Sequence, residues 1–222
     1  NYAIKDLRIE RTNDYAVGLF AFTTGTIKNL WLTREQTPDD YDSITGGDFV
    51  GAVVGELRGG GSVLNVHSEL NVKAVGYDTN TSDDQAPYIN VGGIAGDNQG
   101  FIDQSSATGA VHADTNIAES VRIGGLMGAS SGRTESSYAT GVVSLNTPNE
   151  SLDGYCGGLI GLGFESSRVV QSYSSASVNC PQTGMLAGGF IGAQNGTGDT
   201  EAIQIIDSFA VGAVNGAQSG GF

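Results

Sequence analysis

The sequence predicts an all-β chain folded as a parallel β-solenoid (β-helix) of about six coils of ~32 residues, with three short strands per coil. Three observations predict it. A glycine-rich block recurs at near-constant spacing: Val17-Gly-Leu-Phe-Ala, Gly51-Ala-Val-Val-Gly, Gly92-Gly-Ile-Ala-Gly, Gly124-Gly-Leu-Met-Gly, Gly157-Gly-Leu-Ile-Gly and Gly188-Gly-Phe-Ile-Gly. The apolar runs between turns are about four to six residues long, the length of strands. No apolar stripe of helical period runs anywhere along the chain.

Taken in order, residues 1–16 read as a lead-in strand built on Ala3, Ile4, Leu7 and Ile9. Residues 17–216 hold the six coils, and residues 217–222 open a seventh, the whole forming one elongated domain. Within a coil the glycine block leads to a polar turn closed by Gly25, Gly59, Gly100, Gly132 or Gly196, with Glu165 breaking the rule in the fifth copy. An apolar position follows: Ile27, Val63, Ile102, Thr134, Val169, Ile205. Next comes a small, polar and aromatic segment, such as Gln104-Ser-Ser-Ala-Thr-Gly or Ser136-Ser-Tyr-Ala-Thr-Gly, and Val72, Val111, Val143, Val178 and Val214 end the pattern.

Stacking in register turns aligned positions into columns. One column reads Trp31, His67, Ser106, Tyr138, Tyr173, Phe209, and its neighbour reads Leu30, Val66, Ser105, Ser137, Ser172, Ser208. The second position of the glycine block reads Gly18, Ala52, Gly93, Gly125, Gly158, Gly189, which implies no room for a larger side chain. The longest insertion runs from Lys73 to Asn90, and solenoid insertions commonly decorate one face.

Composition narrows the function. The formal net charge is -14 with 10 Lys and Arg, so the basic footprint that nucleic acid requires is missing. No apolar run is long enough to span a membrane. Glycine makes up 35 of 222 residues, well above the usual share of about 7%, and without a Gly-X-Y period. The two cysteines, Cys156 and Cys180, form an even pair in a lysine-poor, Ser/Thr/Asn-rich chain. Export with one disulfide is the expectation, two buried thiols the alternative.

The pattern Gly-Gly-[Leu/Ile/Phe]-x-Gly, then x-x-x-Gly-x-Ile, then Ser-Tyr-Ala-Thr-Gly-x-Val resembles the GLUG-motif repeats of large exported bacterial proteins. It extends over residues 16–222 and is clearest in 92–111, 124–143, 157–178 and 188–214. The resemblance implies an extracellular or cell-surface, adhesin-type or structural repeat module. It carries no catalytic residues over to this chain.

Other chemistry is thin, and the expectation is that the chain is not an enzyme. His67 stands in the aromatic column and reads as packing; His112 reads as a surface residue. No Gly-x-Ser-x-Gly elbow occurs. A carbohydrate-active enzyme on a β-helix would need paired carboxylates, or acids with basic residues, on one face, and Arg58, Arg122, Arg133 and Arg168 do not share one column in this alignment. Calcium is the one cofactor the sequence offers: Asp78, Asn80, Ser82 and Asp84 alternate like oxygen ligands, but the turn glycine and closing glutamate are missing. Asn80, Asn149 and Asn195 stand in Asn-x-Ser/Thr sequons within expected turns.

The ends set the partners. An uncapped solenoid edge exposes unpaired strand backbone. Ile4, Leu7 and Ile9 at one end and Gly220, Gly221 and Phe222 at the other mark the expected assembly edges. They would meet neighbouring repeats of a longer chain, or a second copy in a head-to-tail filament. A glycan or other surface ligand is the remaining expected partner.

Overall fold

The computed structural model describes residues 2–35, 42–77, 88–150, 152–195 and 203–220. They are all strand, turn and loop, and the strands stack as a parallel β-solenoid of about six turns roughly 33 residues apart. Every strand pairs in parallel with its counterpart one coil away.

The coil is more finely divided than three runs. The fourth coil has five strands, Val111–Asp114, Ser120–Gly124, Met127–Ser130, Arg133–Glu135 and Tyr138–Ala139. These fall into four sheets, the last two strands sharing one. Two corners cause the division. The Gly-Gly pair bends the chain between Ser120–Gly124 and Met127–Ser130, splitting one apolar run. A residue with positive φ stands in the last run of each coil, Asn29, Asn65, Gln104, Ser136, Gln171 and Asp207 having φ between 44° and 57°. It divides the run from Gln104 onward, while the strands Thr26–Thr33 and Ser62–Ser68 continue through Asn29 and Asn65. The lead-in is likewise two strands, Tyr2–Lys5 and Ile9–Arg11, with Asp6 at φ 52° between them.

Register follows the sequence columns. Ile9, Ile44, Val72, Val111, Val143, Val178 and Val214 pair in succession. So do Ile27, Val63, Ile102, Thr134, Val169 and Ile205. The middle members of both columns are buried and the end members half-buried, so the core is a continuous rod that opens toward its ends. Burial of such apolar columns supplies the main driving force, on the order of 1.5–3 kcal/mol per large side chain.

The Gly/Ala column is narrow because of crowding. A Cβ on Gly125 would lie 2.7 Å from the Ala139 Cβ across the coil and would run into the Gly158 carbonyl oxygen of the next coil. Its φ is not in the left-handed region, so space and not backbone conformation selects glycine.

Cys156 and Cys180 form a disulfide with a Cα–Cα distance of 6.6 Å and a separation of 24 residues. Both are fully buried, and the bond links the strand Asp153–Gly157 to the strand Ser177–Cys180 of the following coil. Such a bond fits an oxidising compartment outside the cytoplasm. Among the described residues no helix is long and apolar enough to cross a membrane.

Candidate functional site

The sheet that carries the aromatic column sets its side chains by simple alternation. After the positive-φ residue, one side chain points inward, the next outward and the next inward. The inward position is the serine column, and Ser105, Ser137 and Ser172 are buried. Each hydroxyl is satisfied twice. Ser137 Oγ accepts the Ser105 N–H at 3.1 Å and donates to the Glu135 carbonyl at 2.6 Å. Ser172 Oγ accepts the Ser137 N–H and donates to the Val170 carbonyl, and Ser208 repeats the pattern for Ser172 and Ile206. The ladder begins where Val66 N–H donates to Ser105 Oγ at 3.1 Å.

The rings therefore face out. Trp31 is 43% exposed and Phe209 is 52% exposed. Tyr138 and Tyr173 stack at 4.8 Å with planes 5° apart, and Phe209 continues the stack at 5.3 Å. At the other end His67 meets Trp31 edge-on at 5.3 Å. The packing expected for His67 is thus surface stacking, not core.

Ser106 interrupts the column. It pairs with His67 on one side and Tyr138 on the other, and it has no ring to offer. Above it lies a cavity of about 180 Å³ whose walls include Trp31, His67 and Tyr138 and whose rim includes Thr33, Glu69 and Thr108. Ser106 Oγ lies 2.8 Å from His67 Nδ1, and His67 Nε2 lies 3.2 Å from Asn65 Oδ1. Asn65 Nδ2 donates to Asn29 Oδ1 at 2.8 Å, which fixes the orientation of that amide. Burial lowers the His67 pKa, so the ring is neutral at neutral pH. Serine, histidine and asparagine in this order resemble a nucleophile, a base and its orienting group. Two N–H groups beside the cavity are engaged in the ladder, however: Thr108 N–H with the Ser68 carbonyl at 2.9 Å and Tyr138 N–H with the Ser105 carbonyl at 3.1 Å.

A second polar cluster spans the Gly-Gly corner. Glu56 and Asp97 are register partners on adjacent coils. Burial raises the Asp97 pKa, against a 2.8 Å hydrogen bond from Gln99, with Glu56 adding to the rise. The Arg122 guanidinium packs over the Phe164 ring at 5.3 Å and the Tyr88 ring at 5.5 Å, and burial lowers its pKa while Asp97 opposes the drop. Burial pushes Asp48 up to about 6, although it accepts the Tyr77 N–H at 2.7 Å. Among the described residues no three His, Cys, Asp or Glu side chains converge as a metal site.

The remaining sequence expectations fall as follows. Asp78, Asn80, Ser82 and Asp84 lie outside the described residues, as do Gly221 and Phe222. Ile4, Leu7 and Ile9 are half-buried against the end of the core, and Gly220 closes the exposed strand Gln218–Gly220. Asn149 sits in an exposed loop, whereas Asn195 ends the strand Ile191–Asn195 and is exposed. His112 Nε2 lies 3.2 Å from Asp42 Oδ1 at the surface. Of the four arginines, Arg133 and Arg168 are direct register partners, whereas Arg122 stands in another sheet opposite Tyr155. That pairing follows from the column of Thr134 and Val169, which each arginine precedes by one residue.

Sequence reasoning missed the positive-φ column and the serine ladder. Their signal was present, since Asn, Gln, Ser or Asp precedes the Ser105 column in every copy, and Asn and Asp are the non-glycine residues that best tolerate that conformation.

No protein-family model matches the chain, and no curated protein matches it. Its fold is similar to the crystal structure of a putative immunoglobulin A1 protease from Bacteroides ovatus, with a TM-score of 0.65 and 17% sequence identity over 97% of this chain. The chain spans 60% of the length of that structure. At this identity the likeness shows the fold alone.

Proposed function

We propose that the chain is a non-catalytic, extracellular or cell-surface recognition module of the adhesin type, and that its ligand is a surface glycan. The observation that carries this reading is the outward column of rings on one sheet, Trp31 to Phe209, interrupted at Ser106 and flanked by hydroxyl-bearing positions such as Thr108. Tyr138, Tyr173 and Phe209 cover one another's faces, so the column offers an extended ligand a regular strip of ring edges and hydroxyls. The resemblance to GLUG-motif repeats and the buried disulfide support an exported location. Calcium and N-glycans stay outside this reading, which needs neither.

Attachment of beads coated with the oxidised chain to a panel of immobilised polysaccharides and mucins tests it. Saturable, competable attachment to at least one glycan is expected. Beads that attach no better than albumin-coated ones would sink the reading.

End-to-end stacking is the second reading. Half-buried Ile4, Leu7 and Ile9 at one edge and Ile205 and Val214 at the other favour it. Analytical ultracentrifugation over a concentration series checks it: elongated oligomers that grow with concentration support stacking, and a monomer at every concentration contradicts it.

A further inference from the structure

The break in the aromatic column points to a binding site for a single sugar ring. Ser106 stands one strand from His67 and one from Tyr138 and carries no ring. It is itself buried, with His67 Nδ1 on its hydroxyl, so the free space lies above the serine between the flanking side chains. Where the column is complete, that rung is filled: Tyr138 and Tyr173 stack at 4.8 Å and Tyr173 and Phe209 at 5.3 Å. At Ser106 the rung is replaced by a cavity of about 180 Å³, below the roughly 300 Å³ at which pockets begin to take drug-sized ligands. Its floor is held still, because Ser106 Oγ and Asn65 Oδ1 hold the two nitrogens of His67.

We propose that this cavity binds one neutral pyranose of a glycan, stacked against Tyr138, with Trp31 in the cavity wall beyond His67. The walls and the rim together select that chemistry. A pyranose has an apolar C–H face to lie on a ring and hydroxyls at its edge to meet polar groups. The rim supplies the Glu69 carboxylate and the Thr108 hydroxyl, both exposed. Glu69 is exposed and lines the cavity, which sets its carboxylate oxygens where they can accept from sugar hydroxyls. A pyranose brings several hydroxyl donors to that carboxylate, where an aromatic side chain of a protein partner brings one at most. The carboxylate and the net charge of -14 disfavour uronic and sialic acids. This inference rests on the glycan-recognition reading and names the sugar class and the contact residues within it.

Trp31 is the sole tryptophan, so its fluorescence reports the cavity alone. The experiment titrates the oxidised chain with methyl hexosides, methyl N-acetylglucosaminide and methyl glucuronide up to about 50 mM, well past a millimolar dissociation constant. A saturable change is expected with at least one neutral sugar and none with the glucuronide. Ser106→Tyr supplies the missing rung and should abolish the change while the circular dichroism spectrum is retained. Glu69→Gln, at an exposed position that does not threaten folding, should weaken binding about tenfold through loss of a charged hydrogen bond. No saturable change with any neutral sugar, or a change undiminished in both variants, overturns the site. Bead attachment separates the two readings: attachment without a Trp31 response removes this site and leaves the adhesion reading standing, while a Trp31 response without attachment does the reverse.

Discussion

The first two coils and the four that follow build the same corner from different side chains. In the early coils the inward column is apolar, Leu30 and Val66, and the hydrogen bonding moves outside, where Asn65 donates to Asn29. From the third coil onward the column is serine, and the hydrogen bonds run inside from Ser105 to Ser208. The outer rings change at the same place: Trp31 and His67 meet edge-on, whereas Tyr138, Tyr173 and Phe209 lie flat on one another. Ser106 stands at the junction. One backbone geometry thus accepts either an apolar or a hydroxyl column, provided each buried polar group finds its partner. The irregular rung falls where one solution hands over to the other.

The later coils are also stapled covalently, which gives the comparison its largest lever. Replacing Cys156 and Cys180 with alanine should cost about 3 kcal/mol, from the loop of 24 residues that the bond closes in the unfolded chain. Urea unfolding measures it, and a loss near zero would mean that the later coils owe nothing to the staple.

Next in size is Ser137→Ala. It leaves the Ser105 N–H and the Glu135 carbonyl without their partner in a buried site, at a cost of about 2 kcal/mol. Asn65→Ala, which removes the outer bond of the early coils at a half-exposed site, should cost less, about 1 kcal/mol. Equal costs would erase the distinction between inner and outer ladders.

The smallest effect concerns Asp48, which lies buried in the second coil. Its folded pKa of about 6 is raised above the unfolded carboxylate value, so the folded state holds the extra proton. That contribution is complete at pH below the ordinary carboxylate range and is lost as pH rises through about 6. Asp48→Asn keeps the acceptor for the Tyr77 N–H and removes the charge. It should gain about 1 kcal/mol over the native chain at pH 7.5, the shift being discounted for solvent screening, and little at pH 4. Thermal melts at the two pH values check the sign.

Much of this was legible because the chain repeats. Once Gly92, Gly124 and Gly157 are aligned, the pairing of Val111 with Val143 and of Ser105 with Ser137 follows from the alignment alone. The strand count was not legible, since a bend at Gly124-Gly125 or a positive φ at Gln104 subdivides a run without changing its hydrophobicity. The site was half legible. Ser106 was visible as the one ringless member of its column, but its meaning depends on that column facing out. That direction is set by the corner residue before it, and Gln104 or Ser136 looks like ordinary loop composition. The cluster of Glu56, Asp97 and Arg122 gave no sequence signal, because Arg122 comes from a different position and a different coil than the two acids.

The central claim is that this solenoid recognises a ligand and does not cleave one, and Ser106 tests it most directly. Ser106 Oγ lies 2.8 Å from His67 Nδ1, the contact that a serine hydrolase would use. Incubation of the native chain with a fluorophosphonate probe, followed by peptide mass mapping, reads whether that serine is activated. The account predicts an unmodified Ser106 in a chain that still attaches to glycan; a stoichiometric adduct on Ser106, lost in His67→Ala, would contradict it.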